Sequence, residues 1–193
     1  MMMRTILFSA LMLCLALLGG AATAGAGGAQ TVNPASVVDA TTKCEVQAFV
    51  VDPDPAGLNV RRAPDKDAAV ITKLKHGDYT IAVAITGATG QWARIRDAEA
   101  EETGDALFKG PGWVYAPLLA TQARGKYGTN LDKPVVKVLR EPDKHSAVVT
   151  TLPVETQVNV IGCRGDWVQV RYKKFEGWLP PESQCANTLT TCG

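Results

Sequence analysis

The chain has 193 residues, room for one domain or two small ones, and its 20 Lys+Arg against 19 Asp+Glu give a formal net charge of +1. That balance argues against duplex nucleic acid as a partner, since its binders carry a strong basic excess. A hydrophobic fraction of 46% with 20% charged residues excludes a disordered chain, and eighteen Gly, eleven Pro and 6% aromatics favour turns and short strands over long helices.

The first element in chain order is an address. Arg4 supplies a positive start, Ile6 to Leu18 is apolar apart from Ser9, and Ala22-Thr23-Ala24 fits an A-x-A cleavage site. This is the pattern of a secretory signal peptide over residues 1–24. The apolar run is too short for a spanning helix, which needs about 20 residues, so no membrane span is expected in the mature chain. Cys14 lies inside the run and no Cys stands at the cleavage region, which argues against a lipoprotein anchor. Export to the periplasm or beyond is the expectation. Removing Arg4 with the leader leaves 19 basic and 19 acidic residues.

Four cysteines remain: Cys44, Cys163, Cys185 and Cys192. An even count in an exported protein predicts two disulfides with three alternative connectivities. Cys163 sits in a turn near the other two, so a bond from it to Cys185 or Cys192 is preferred. There is no CxxC, and His76 and His145 lie far from any Cys, so neither a metal nor another cofactor is expected.

Residues 25–43 are small and polar, a flexible lead-in. Beyond them the chain is self-similar. Leu58-Asn59-Val60-Arg61-Arg62-Ala63-Pro64 is echoed by Val136-Lys137-Val138-Leu139-Arg140-Glu141-Pro142, and aligning the two prolines pairs Val70 with Val148 and Leu74 with Leu152 without a gap. Trp92 and Gly112-Trp113 are echoed by Trp167 and Gly177-Trp178. Such self-similarity indicates two copies of one supersecondary unit. Within each unit the period is that of strands: Tyr79, Ile81, Val83 and Ile85 alternate, as do Val158 and Val160, and Val168, Val170 and Tyr172. Gly87–Gly90 and Gly162–Asp166 are turn-like. No sustained 3.6-residue pattern appears after residue 30.

The first unit, with its LNVR-x-x-P opening, Leu74-Lys75-His76-Gly77 turn, Trp92-Ala93-Arg94-Ile95 and Gly112-Trp113-Val114, resembles a bacterial SH3-type (SH3b) domain. The second is similar but has Glu155 at the turn glycine. The resemblance implies an all-β protein of two small, partly open SH3-like barrels in tandem. The first covers 44–120 with an acidic insertion at 97–111, read as a solvated hairpin extension. A linker follows at 121–134, and the second module covers 135–193 with a Cys-containing tail. The tryptophans recur at family positions and are expected to pack in or near the cores.

No catalytic motif appears: there is no Gly-x-Ser-x-Gly, His-Glu-x-x-His or nucleotide loop, so an enzyme is not expected. The resemblance implies recognition of cell-wall peptide or peptidoglycan, or of an envelope protein. Aromatic side chains give rigid contact area and Arg pairs with carboxylates, so the binding candidates are Arg62, Trp92 and Tyr115 in the first unit and Arg140, Trp167 and Tyr172 in the second. A periplasmic protein–protein scaffold or an enzyme inhibitor is the alternative.

Overall fold

Alternating burial sets the structure. In Leu58-Asn59-Val60-Arg61 the first and third residues are buried and the others half-buried, and Val136 and Val138 alternate in the same way with exposed Lys137. A period of two puts one row of side chains into a core and the next on the opposite face. The computed structural model describes residues 40–75, 77–125 and 135–187. Its strands are β1 (Thr42–Val50), β2 (Leu58–Arg61), β3 (Val70–Leu74), β4 (Ile81–Thr89), β5 (Trp92–Ala100), β6 (Ala106–Tyr115) and β7 (Leu119–Ala123). After them come β8 (Val135–Leu139), β9 (Val148–Pro153), β10 (Thr156–Arg164), β11 (Trp167–Tyr172), β12 (Phe175–Leu179) and β13 (Gln184–Cys185). Single 3-10 turns at Ala116–Leu118 and Pro181–Ser183 precede β7 and β13, and no α-helix occurs among the described residues. The expected leader, most of the lead-in (25–39), His76, residues 126–134 and Cys192 lie outside the described residues.

All strands join one antiparallel sheet in the order β3-β2-β6-β5-β4-β1-β7-β10-β11-β12-β8-β9, with β13 on β7. The path does not close: β3 and β9 end it. The all-β expectation therefore holds as one continuous open sheet, with no independent closed barrels. Its core is a single cluster running from Val46 and Val60 through Ile85, Ile95 and Leu119 to Val138, Val160, Val170 and Leu179.

The pairings of β8–β12 fall in the same register as those of β2–β6. Leu58↔Leu74, Val60↔Thr72 and Arg61↔Val70 correspond to Val136↔Leu152, Val138↔Thr150 and Leu139↔Val148, with a register shift at the same place. Ile85↔Ile95, Gly87↔Arg94 and Thr89↔Trp92 correspond to Val160↔Val170, Gly162↔Gln169 and Arg164↔Trp167. The loops after β2 and β8 also share their hydrogen bonds: Arg62 N–H to Ala69 O and Arg140 N–H to Ala147 O, Asp65 N–H to Ala63 O and Asp143 N–H to Glu141 O. Asp65 and Asp143 each cap the turn by accepting from the amide two residues on.

The glycines before Trp113 and Trp178 have a steric reason. A Cβ on Gly112 would meet Val60 Cγ1, and one on Gly177 would meet the Leu139 carbonyl and Val138 Cγ1. Only glycine lets β6 approach β2, and β12 approach β8, this closely. At the place of Gly77 the second half has Glu155, which takes the left-handed conformation (φ 63°) although Gly77 does not, its N–H donating to Ala123 O.

Two boundaries differ from the sequence expectation. Thr42 and Lys43, assigned to the lead-in, begin β1. Thr121–Ala123, assigned to the linker, end β7, a strand in the middle of the sheet. β7 pairs with β1 (Phe49↔Ala120, Val50↔Leu119), with β10 (Asn159↔Ala120 to Thr156↔Ala123) and with β13 (Cys185↔Gln122). Leu119, Ala120, Thr121 and Ala123 are all fully buried, and the Thr121 hydroxyl donates to Cys185 O at 3.0 Å. These small side chains serve close approach on a crowded strand, whereas in the sequence they resemble a polar connection. The acidic insertion is a hairpin extension: β5 and β6 run on to a turn at Glu101–Asp105, and the Glu102 carboxylate accepts from Thr80 N–H at 2.9 Å.

The disulfide differs too. Cys163 bonds Cys44, 119 residues earlier, and not Cys185 or Cys192. An isolated parallel bridge, Cys44↔Gly165, places the two cysteines side by side, with Glu45 N–H donating to Gly165 O and Gly165 N–H to Lys43 O. Both are buried, at 4% and 3% exposure, so the bond ties β1 to β10 within the core. Cys185 is also disulfide-bonded.

Candidate binding face

The core is built from Val, Ile, Leu and Ala, and the tryptophans stand outside its central cluster. Trp178 alone is buried, at 8% exposure, while Trp92, Trp113 and Trp167 are half-buried. Of the four expected in or near the cores, Trp178 is thus in the buried set and the other three stand at its margin. On β5 and β6, Ala93, Ile95, Gly112 and Val114 face inward, so Trp92, Arg94, Trp113 and Tyr115 share the outward face.

Cross-strand register assembles that face. Trp92 stands opposite Tyr115, and their rings meet edge to face with centroids 5.8 Å apart and planes at 67°. This is the arrangement the ring quadrupoles favour. The Tyr115 hydroxyl donates to Gln91 Oε1 at 3.0 Å, and the residue is 36% exposed. In the next row Trp113 stands between Arg94 of β5 and Arg61 of β2. The row continues through Gly87 of β4 to Lys43 of β1. Neighbouring strands lie about 4.8 Å apart, which puts Arg61 and Arg94 about 10 Å apart at their Cα atoms.

The electrostatics of the face separate one arginine from its neighbours. Arg96 is held by Asp97 (3.0 Å) and Glu45 (3.5 Å). The hydrogen bond to Asp97, then the Asp97 charge and more weakly that of Glu45, raise its pKa above the ordinary guanidinium value. Arg94 has no carboxylate partner among the described residues. Arg61 donates Nη1–H to Ala68 O at 2.7 Å, which braces the loop after β2. Beside Arg94 a register shift leaves Gly110 (φ 119°) and Pro111 outside the β5–β6 ladder. A shallow groove of about 280 Å³ opens there, lined by Thr86, Arg94, Ile95, Arg96, Gly110 and Pro111. A larger groove of about 430 Å³ runs between β1 and the Pro181–Asn187 segment, with Glu45, Arg96 and Asp166 on its walls.

Of the six residues singled out from the sequence, Trp92 and Tyr115 are brought together. Arg62 is not part of their rows: it is exposed at the end of β2, while Arg61, one residue earlier, faces Trp113. Arg140 is likewise exposed just after β8. Trp167 and Tyr172 lie at opposite ends of β11, about 17 Å apart along the strand. Tyr172 packs against the core with Lys173 Nζ 5.1 Å from its ring centre, and Trp167 pairs in register with Arg164. The second half thus gathers no equivalent cluster from the predicted residues. Sequence reasoning missed Arg61, Arg94 and Trp113 as surface partners. Their signal was the shared outward parity of positions 92, 94, 113 and 115.

Among the described residues no group of His, Cys, Asp and Glu is arranged to hold a metal, and no helix is long and apolar enough to cross a membrane.

No curated protein matches the chain. Among solved structures it is similar to NlpC1 from Trichomonas vaginalis, at 15% identity over 74% of this chain and 46% of the other, with a TM-score of 0.29. It is also similar to NlpC2 from the same organism, at 12% identity over 78% of this chain and 51% of the other, with a TM-score of 0.30. The chain spans about half the length of each. Residues 134–183, which run from the start of β8 to the second 3-10 turn, match the bacterial SH3 domain family model.

Proposed function

We propose that this chain is a non-catalytic, exported binding protein of the cell envelope, built from tandem SH3b-like modules that recognise cell-wall peptide or peptidoglycan. The bacterial SH3 match supports this for the second module. For the first module the support is the shared register of β2–β6 and β8–β12, down to the same shift after Val60 and Val138. β7 serves both modules: it pairs with β1 as β13 pairs with β7, and with β10 as β1 pairs with β4. The buried Cys44–Cys163 bond favours an oxidising, extracytoplasmic compartment, in line with the leader-like start of the chain.

The observation that carries the binding role is the outward Trp92–Tyr115 pair beside Trp113 and Arg94. Three aromatic residues left on a sheet face, where burial would have stabilised the fold more, form a rigid contact surface of the kind interfaces use. Retention of the purified protein by peptidoglycan sacculi tests the proposal. Recovery in the sacculus pellet is the expected result. No retention, with one envelope protein recovered instead from an extract, would replace it with the scaffold function.

A further inference from the structure

The two halves share a register but not an outer face. Where the first has the row Gly87–Arg94–Trp113–Arg61, the second has Gly162–Gln169–Trp178–Leu139. Both arginines are thus replaced by uncharged residues. The exposure changes in step, since Trp113 is half-buried while Trp178 is buried, with Arg164 5.8 Å from its ring centre. A fold that needs only a tryptophan at this place is satisfied by the second arrangement. The first leaves the ring accessible and adds two cations on either side of it.

These cations are not needed by the sheet. Neither Arg61 nor Arg94 forms an ion pair among the described residues, whereas Arg96, two residues from Arg94, engages both Asp97 and Glu45. Arg61 uses one nitrogen on Ala68 O and keeps the remaining donors of its guanidinium. A planar guanidinium with open donors is matched to a carboxylate. The spacing of the pair is about two strand separations, close to 10 Å, which matches one turn of a polyproline II peptide, whose side chains i and i+3 share a side about 9.3 Å apart.

We propose that the outward face of β2, β6 and β5 in the first half binds an acidic peptide segment in polyproline II conformation, with carboxylates at positions i and i+3 on Arg61 and Arg94 and the two residues between them over Trp113. The second half takes no part in this contact. The proposal rests on the assignment of that face as the binding surface, and it adds the charge and spacing of what the face recognises. A flat apolar ring between two cations fits a segment with two apolar residues between its carboxylates.

The test uses the full mature chain and two synthetic capped tetrapeptides, Asp-Ala-Leu-Asp and its Asn-Ala-Leu-Asn counterpart, titrated with tryptophan emission and calorimetry as readouts. The Asp peptide is expected to bind with one site per chain, and the Asn peptide roughly tenfold or more weakly, since each charge-assisted hydrogen bond is lost. Arg94→Gln, at an exposed position whose loss leaves the sheet intact, is expected to bring the Asp peptide close to the Asn level. Gln169→Ala in the second half is expected to change nothing. Raising salt from 50 to 500 mM is expected to weaken binding of the Asp peptide only. Equal affinity for both peptides, or an unaffected Arg94→Gln variant, would overturn the proposal. So would direct binding of a carboxylated polysaccharide when neither peptide binds, which would assign the face to an anionic glycan. Sacculus retention with no peptide discrimination would sink this inference and leave the envelope-binding function standing. Loss of both would remove the two together.

Discussion

Removing the Cys44–Cys163 bond is the sharpest perturbation of the fold. The bond closes a loop of 119 residues, more than half of the chain. In the chain-entropy description a loop of this length lowers the denatured-state entropy by about 16 cal/mol/K, or about 4.9 kcal/mol at 25 °C. A compact denatured ensemble already forfeits part of that freedom, so about 2–5 kcal/mol is expected. Domains of this size have about 5–15 kcal/mol in total, so the loss is a large share. At about 2–4 °C per kcal/mol, the melting temperature should fall by about 5–20 °C. The double variant Cys44→Ala/Cys163→Ala isolates this bond, because a reductant would also open the one at Cys185. Urea denaturation followed by far-ultraviolet circular dichroism and tryptophan emission gives both the stability and its cooperativity. The bond joins β1 to β10, so the two probes should also separate as the halves lose their clamp. A loss below about 1 kcal/mol with a single coincident transition would refute this account of the disulfide.

Three further outcomes follow from local geometry. Gly177→Ala drives a Cβ into backbone at Leu139 and should cost about 1–3 kcal/mol in chemical denaturation; a neutral result would deny the tight β12–β8 approach. Glu155→Gly relieves the left-handed strain at φ 63° and should raise stability by about 0.5–1 kcal/mol, whereas a decrease would show that the Glu155 side chain matters more than its backbone. Trp92→Ala should lower stability by less than about 2 kcal/mol because the ring is half-buried, and should abolish ligand binding; unfolding with wild-type affinity in the folded remainder would restore it to the core.

The parts of the fold visible in the sequence were those governed by local period and turn chemistry. Val60 and Val138 alternate with polar neighbours, Pro64 and Pro142 mark matching loops, and Gly112 and Gly177 mark close approaches; each signal lies within a few residues. β7 was hidden because its burial is imposed by three partners distant in the chain. Leu-Ala-Thr-Gln-Ala carries no pattern by which a central strand differs from a connection. The disulfide was hidden for the same reason: Cys44 reaches Cys163 only through a parallel bridge between β1 and the turn after β10. At the site, Trp92 and Tyr115 were visible as aromatic residues near motif ends. Arg62 was selected where Arg61 is the one beside Trp113, and in a strand a shift of one residue exchanges the faces. Arg94 needed the β5–β6 register, including the irregularity at Gly110 and Pro111, before it could be placed.

The central claim is that the aromatic face of the first half is the binding surface of an envelope protein. Co-sedimentation isotherms with purified sacculi test it most directly when wild type, Trp92→Ala/Tyr115→Ala and Trp167→Ala are compared at equal fold, checked by thermal melts. The account predicts that wild type and Trp167→Ala pellet alike while the Trp92→Ala/Tyr115→Ala chain stays in solution. Equal retention of all three, or retention lost only with Trp167→Ala, would contradict it.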